Sequence, residues 1–246
     1  MKLSMLCLAQ IIVLYCLTTT IVFAAPESKV SIPPPNFGEK PLAMRSFPAN
    51  PVEKVSAGVY RIGEVTLNKK ERTITFPAQI NLQGGLLEYL VVRKGGKTHE
   101  SLLRTTVEPY HLQLACLLIG LEGTDKPLAF QGAPEQPRGE GVIISLFLVN
   151  NDDKILLVKP EQWVEKRINN DTLKIENFVW TFTGSVVIDG RFMAQTDGSI
   201  IALYHDPAAL IDNASPGGES DKIWFVNEKT VPPVGTPVTV TIKPRK

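Results

Sequence analysis

The sequence predicts an α+β fold that is mostly antiparallel β, arranged as sandwich-like sheets with one packed α-helix and a short second helix. Two observations carry this. Beyond residue 54, apolar and polar residues alternate in short runs bounded by turn residues, the pattern of half-buried strands. Only the leucine-rich stretch that begins at Pro109 has sustained helical spacing.

Taken in order, residues 59–67 and 73–76 flank the polar turn Asn68-Lys69-Lys70-Glu71 and read as a hairpin. Gly84-Gly85 precede residues 86–93, a run so rich in Leu and Val that both of its faces are expected to be buried. The chain then turns at Lys94-Gly95-Gly96-Lys97. Pro109 suits the first turn of the long helix, where a missing N–H costs nothing, and Gly120 suits its stop. Leu114, Leu117, Leu118 and Leu121 form the stripe expected to lie against the sheet.

Residues 131–141 hold Gly132, Gly139, Gly141, Pro134 and Pro137 and divide a lobe at 54–130 from a second at 142–246. The two lobes are either separate or one continuous domain. In the second, residues 142–149 and 155–159 flank Asn150-Asn151-Asp152-Asp153 as another hairpin. Strands are also predicted at 179–183, 185–188, 200–204, 222–226 and 238–242. The short helix is expected at 206–211, with Asp206 as its cap and Pro207 in its first turn.

At the N-terminus, Lys2 precedes an apolar run over residues 5–17 interrupted only by Gln10. That is the length of a signal-peptide core, short of the roughly 20 apolar residues that span a bilayer. Ala24 ends the Val22-Phe23-Ala24 triplet with a small residue, so residues 1–24 read as a signal peptide and the chain as exported, to the periplasm or beyond. Membrane association is expected only if that signal stays uncleaved. Residues 25–53, with Pro33, Pro34, Pro35, Pro41, Pro48 and Pro51, read as an extended tether.

Cleavage removes Cys7 and Cys16 and leaves Cys116, so the remaining chain has no partner for an internal disulfide. Cys116 lies among leucines and is expected to be buried. The cut also removes one cation and no acid, leaving the 25 acidic residues matched by as many basic ones. That balance gives no electrostatic case for nucleic acid.

The segments Phe76-Pro77-Ala78, Gly85-Leu86-Leu87-Glu88-Tyr89 and Gly96-Lys97-Thr98-His99-Glu100-Ser101-Leu102-Leu103 resemble the YdjY-domain family of exported bacterial proteins. So do Trp180-Thr181-Phe182-Thr183-Gly184-Ser185, Asp189-Gly190-Arg191-Phe192 and the closing Pro232-Pro233-Val234-Gly235-Thr236-Pro237-Val238. The resemblance spans most of residues 55–243 and implies no catalytic residue. Some members carry a ferredoxin-like label, but an iron–sulfur cluster needs about four ligands and one cysteine remains here.

His99, Glu100 and Ser101 are the first candidate catalytic set, as base, orienter and nucleophile. On an extended segment His99 and Ser101 share a face and Glu100 points away, so satisfied polar positions are the competing reading. His205 and Asp206 with Ser185 form a second set, although Ser185 lacks a nucleophile-elbow setting. Trp163, Trp180 and Trp224 are candidates for a platform that stacks on a sugar ring, with core packing as the competing reading and Trp163 expected to be partly exposed. His99, His111 and His205 lack metal-ligand spacing, and Asn150-Asn151-Asp152-Asp153 lacks the Gly and closing Glu of a calcium loop. The sequence therefore points to a cofactor-free binding or accessory module of the envelope. The alternatives are a hydrolase using His99, Glu100 and Ser101, or a structural envelope component. Intact-mass measurement of the chain recovered from an envelope fraction should find Ala25 as its first residue; a chain beginning at Met1 would reject the signal-peptide reading.

Overall fold

The computed structural model describes residues 52–150, 152–169 and 171–245; the expected signal peptide and all but the end of the tether lie outside them. In chain order the strands and helices are β1 (Glu53–Ser56), β2 (Val59–Ile62), β3 (Val65–Asn68), β4 (Thr73–Ile80), β5 (Tyr89–Arg93), β6 (Ser101–Thr105), α1 (Pro109–Leu118), β7 (Glu140–Val149), β8 (Ile155–Val158) and α2 (Pro160–Trp163). They continue with β9 (Val164–Ile168), β10 (Asp171–Leu173), β11 (Trp180–Phe182), β12 (Val187–Ile188), β13 (Arg191–Phe192), α3 (Met193–Asp197), β14 (Ser199–Ala202), β15 (Ile211–Asn213), β16 (Trp224–Val226) and β17 (Pro237–Pro244).

Alternation along the longer strands sets the architecture. On β4, Ile74, Phe76, Ala78 and Ile80 turn inward while Thr73, Thr75, Pro77 and Gln79 turn outward. Val240 of β17 pairs with Phe76 on one side and Leu146 of β7 on the other, and Ile242 likewise with Ile74 and Ile144, so inward residues line up in rows. The sheet does not end as a sandwich layer. It closes into an eight-stranded barrel in the order β4-β17-β7-β11-β15-β14-β5-β6 and back to β4.

Closure depends on a shared edge of β4. Its first residues pair with β3, and its last two, Gln79 and Ile80, pair with Arg104 and Leu103 of β6. Pro77 stands between these stretches, where the missing N–H breaks the ladder, and its carbonyl accepts a hydrogen bond from Thr105 Oγ1 at 2.6 Å. β1, β2 and β3 continue from β4 as a flap outside the ring. Most barrel pairings are antiparallel, but β5–β6 and β14–β15 are parallel.

Residues 54–130 and 142–246 both supply strands to this ring and share one core, from Ile62 to Ile242. Within the run 86–93 the expected burial holds for β5, where Tyr89, Leu90, Val91 and Val92 are inaccessible on both faces, but not for Leu86, which is 38% exposed ahead of the strand. Residues 59–67 do not form one strand, because Gly63 adopts a positive φ of 56° and breaks the run into β2 and β3. The expected hairpins β3–β4 and β7–β8 both form.

Two helix expectations are corrected. α1 begins at Pro109 and stops in a Schellman turn, with Gly120 at φ 81° and Leu121 N–H donating to the Cys116 carbonyl. It buries Leu112, Ala115 and Cys116, however, while Leu117 is 49% exposed and Leu114 and Leu118 are half-buried. The helix is apolar nearly all round, so spacing alone does not select its inner face. Residues 206–211 form no helix; they are a turn leading into β15, and the short helices are α2 and α3. The stripe can be tested directly. Leu112→Ala should cost about 2–5 kcal/mol in urea unfolding and Leu117→Ala only about 0.5 kcal/mol, the reverse of the order expected from the leucine stripe.

Candidate functional site

The densest buried polar cluster of the barrel lies where β14 connects to its parallel neighbour β15 through residues 203–210. Parallel neighbours are usually joined by a longer crossover. Here the connection is short and mostly buried, so its peptide groups must find partners inside the protein. His205 supplies two of the contacts: Nδ1 lies 2.8 Å from the Ala133 carbonyl and Nε2 2.9 Å from the Asn213 carbonyl. Its backbone N–H donates to Gly218 and its carbonyl accepts from Gly132.

Asp206 follows. Its Oδ1 accepts from Ala208 N–H at 2.9 Å, an Asx turn rather than a helix cap. Its Oδ2 accepts from the Tyr89 hydroxyl at 2.7 Å, and its N–H donates to Asp212 Oδ2 at 3.0 Å. Asp212 Oδ1 takes Asn213 N–H, while Asn213 Nδ2 donates to the Leu203 carbonyl, closing the loop on itself. On the outer side, Tyr89 accepts from Lys97 Nζ at 2.7 Å and from Gln131 Nε2 at 3.2 Å, and Gln131 also donates to Glu88.

Carboxylates crowd this region. Burial pushes the Asp212 carboxyl well above the ordinary range, although the N–H groups of Asp206 and Asn213 pull the other way. Burial, then the neighbouring Glu100, raises Glu88; burial, then Asp206, raises Asp197; burial and Asp206 raise the Tyr89 phenol. The groups are held by internal bonds rather than presented to a cleft. Tyr89 is wholly inaccessible, and Asp206 is 4% exposed.

The candidate catalytic sets do not assemble. His99 and Glu100 lie in a 3-10 turn, Thr98–Glu100, where His99 Nε2 sits 3.3 Å from Glu100 Oε2 with its side chain 78% exposed. Ser101 is fully buried at the start of β6, and its hydroxyl donates to the Leu103 carbonyl at 2.7 Å. Base and hydroxyl therefore point to separate surroundings. Ser185 donates to the Ala208 carbonyl at 2.7 Å and accepts from Ala194 N–H, so it meets neither His205 nor the Asp206 carboxylate.

Trp163 is 3% exposed, against the expectation, and Trp180 and Trp224 are buried as well. Phe178 stands 4.7 Å from Trp180 and 5.4 Å from Trp224, ring centroid to centroid, with the rings tilted by 38° and 51°, so these aromatics pack against one another in the core. Cys116 is buried on α1, which raises its thiol pKa and keeps it from nucleophilic chemistry. Among the described residues no group of three or more His, Cys, Asp or Glu is placed to hold a metal ion.

Sequence reading named His205 and Asp206 but missed Tyr89, Lys97, Gln131, Asp212 and Asn213. A signal was present at two of these places. Tyr89 stands in an apolar run where a buried hydroxyl needs a partner, and Asp212-Asn213 directly follows Leu210-Ile211. Because Asp212 has a raised folded value, the stability tied to its protonated form is present below the unfolded value of about 4 and is lost as pH rises through the folded one. Asp212→Asn, which cannot ionise, should flatten the fall in Tm between pH 4 and pH 8. An unchanged slope in calorimetric scans would reject this role.

No curated protein and no solved structure matches the chain. A family model, the YdjY domain, matches residues 65–243, from β3 through all but the end of β17 and thus around the complete barrel. That match takes in the Tyr89–Asp206 network, the buried crossover and both segments that build the ring, and the chain accordingly belongs to the YdjY domain family.

Proposed function

We propose that the chain is a non-catalytic binding or accessory module that works in the bacterial envelope after export, taking an apolar partner on the outer face of its barrel. The supporting observation is an uncharged groove of about 700 Å³ across β4, β17, β7 and β8, lined by Thr75, Phe147, Val149, Ile155 and Thr239 among others. Outward positions of a soluble barrel ordinarily carry charge. Here Val149 is 58% and Ile155 73% exposed with no charged side chain on the groove wall.

The internal bonding of Ser101, Ser185, His205 and Asp206 favours binding over hydrolysis, because none is left to act on a bound molecule. Phe147 is the residue to change: it lies in the groove and faces away from the core row of Leu146. In capture from envelope extracts, Phe147→Glu should weaken retention of the partner at least about tenfold, equivalent to about 1.4 kcal/mol, with Tm unchanged. Equal retention by both proteins would reject the groove, and ester hydrolysis lost on Ser101→Ala would restore the enzyme reading.

A further inference from the structure

β8 is an edge strand with an unusual composition. It pairs with β7 alone, in the register Leu146↔Val158, Phe147↔Leu157, Leu148↔Leu156 and Val149↔Ile155. Its residues Ile155, Leu156 and Leu157 are 73%, 41% and 61% exposed. Natural edge strands are usually blunted by a charge, a proline or a bulge. Between Lys154 and Lys159 this one has none of these.

The hydrogen-bond phase of the β7–β8 ladder identifies the free groups. Asn150 N–H donates to the Lys154 carbonyl at 2.9 Å, so Asn150 and Lys154 form a hydrogen-bonded pair. Alternation then directs the peptide groups of Leu156 and Val158 toward β7 and those of Ile155 and Leu157 outward. Among the described residues, no backbone hydrogen bond engages Ile155 or Leu157 on that outer side.

We propose that this edge is where the chain pairs with a second copy of itself, β8 against β8 in antiparallel orientation about a two-fold axis through Leu156. Parity restricts the choice of register. Outward groups belong to odd-numbered residues, so a self-pairing must match odd with odd. Centring on Leu156 sets Ile155 opposite Leu157 of the second copy, and Leu157 opposite its Ile155. Both residues of each copy then donate and accept, which satisfies every outward peptide group of the exposed run. Centring on Ile155 or on Leu157 instead pairs one of them with itself and carries the other beyond the apolar run.

Charge agrees with the same register. It brings Asp153 of each copy beside Lys159 of the other, an opposite-charge pair at either end, whereas centring on Leu157 sets Asp153 against Glu161. Pro160, which cannot donate, falls outside the paired segment. The result is a continuous sheet running β17-β7-β8-β8-β7-β17, an isologous contact. This inference does not rest on the groove ligand, although Ile155 takes part in both: its side chain lines the groove, whereas the dimer uses the peptide groups of the sheet edge.

The experiment is sedimentation equilibrium of the exported chain over a wide concentration range, with three variants. Wild type should show a monomer–dimer equilibrium. Ile155→Pro should abolish the dimer without lowering Tm, since the N–H that it deletes faces away from β7. Leu156→Cys should give a disulfide-linked homodimer on mild oxidation, because residues on the axis form a close non-hydrogen-bonded pair with Cα atoms about 4.5 Å apart. Lys154→Cys should not, since it lies opposite Val158 of the second copy. A wild type that stays monomeric, a dimer that survives Ile155→Pro, or cross-linking of Lys154→Cys would overturn the proposal. A monomer whose β8 instead takes up a foreign extended peptide or a lipid vesicle would overturn it as well. None of these results bears on the loss of partner by Phe147→Glu, so the two readings fail separately.

Discussion

The barrel depends on a buried connection. β14 and β15 are parallel neighbours joined by eight residues, 203–210, most of which are removed from solvent. A buried segment without regular structure leaves peptide groups unpaired, and each unpaired group costs about 1–3 kcal/mol. Side chains supply the missing partners. His205 sets its two ring nitrogens against two carbonyls, Asp206 joins its own loop to Tyr89, Asp212 receives two N–H groups, and Asn213 returns to Leu203. Without that set, β15 would lack a fixed position between β14 and β11, and the ring would have no reason to close there.

This arrangement accounts for the internal bonding of His205, Asp206 and their neighbours. A hydroxyl or imidazole that already satisfies a buried carbonyl is held by the fold, and its release would expose the very group it stabilises. Lys97, Tyr89 and Asp206 form a donor chain from the half-exposed rim to the buried loop, anchoring β5 to residues far along the chain. The outer wall has a different composition. There, β4, β17 and β7 present Thr, Pro and apolar side chains, and β8 ends the sheet with unpaired peptide groups.

Much of the strand pattern was legible, for a local reason. Alternation along 73–80 and 238–242 needs only a two-residue period, and the turns at 68–71 and 150–154 carry their own polar signals. Less was legible where a side chain's surroundings come from distant sequence. Leu117 and Leu112 are equally apolar, and the packing of α1 against β3, β4 and α3 decides that Leu112 is the buried one. Asp206-Pro207 has the grammar of a helix start, but Ile211 is drawn into β15 by Phe182 and Ile201 on either side. Trp163 follows Glu161 and Gln162 in a polar setting, yet the packing of α2 against β7 and β9 encloses it.

By itself, then, the sequence determined a β-rich chain with one long helix, a core independent of sulfur bridges, and a leader-like apolar start followed by prolines. Those features depend on residue type, spacing and charge count, all of which are local. Tertiary structure alone decided that the sheet closes on itself, because closure requires the end of β4 to meet β6 while its beginning holds β3. It likewise decided that Tyr89 and Asp206, 117 positions apart, share a proton donor and acceptor, and that β8 is left at an edge. Hydrogen-bond partners and free edges are properties of which strands become neighbours, and no single stretch of chain contains that information.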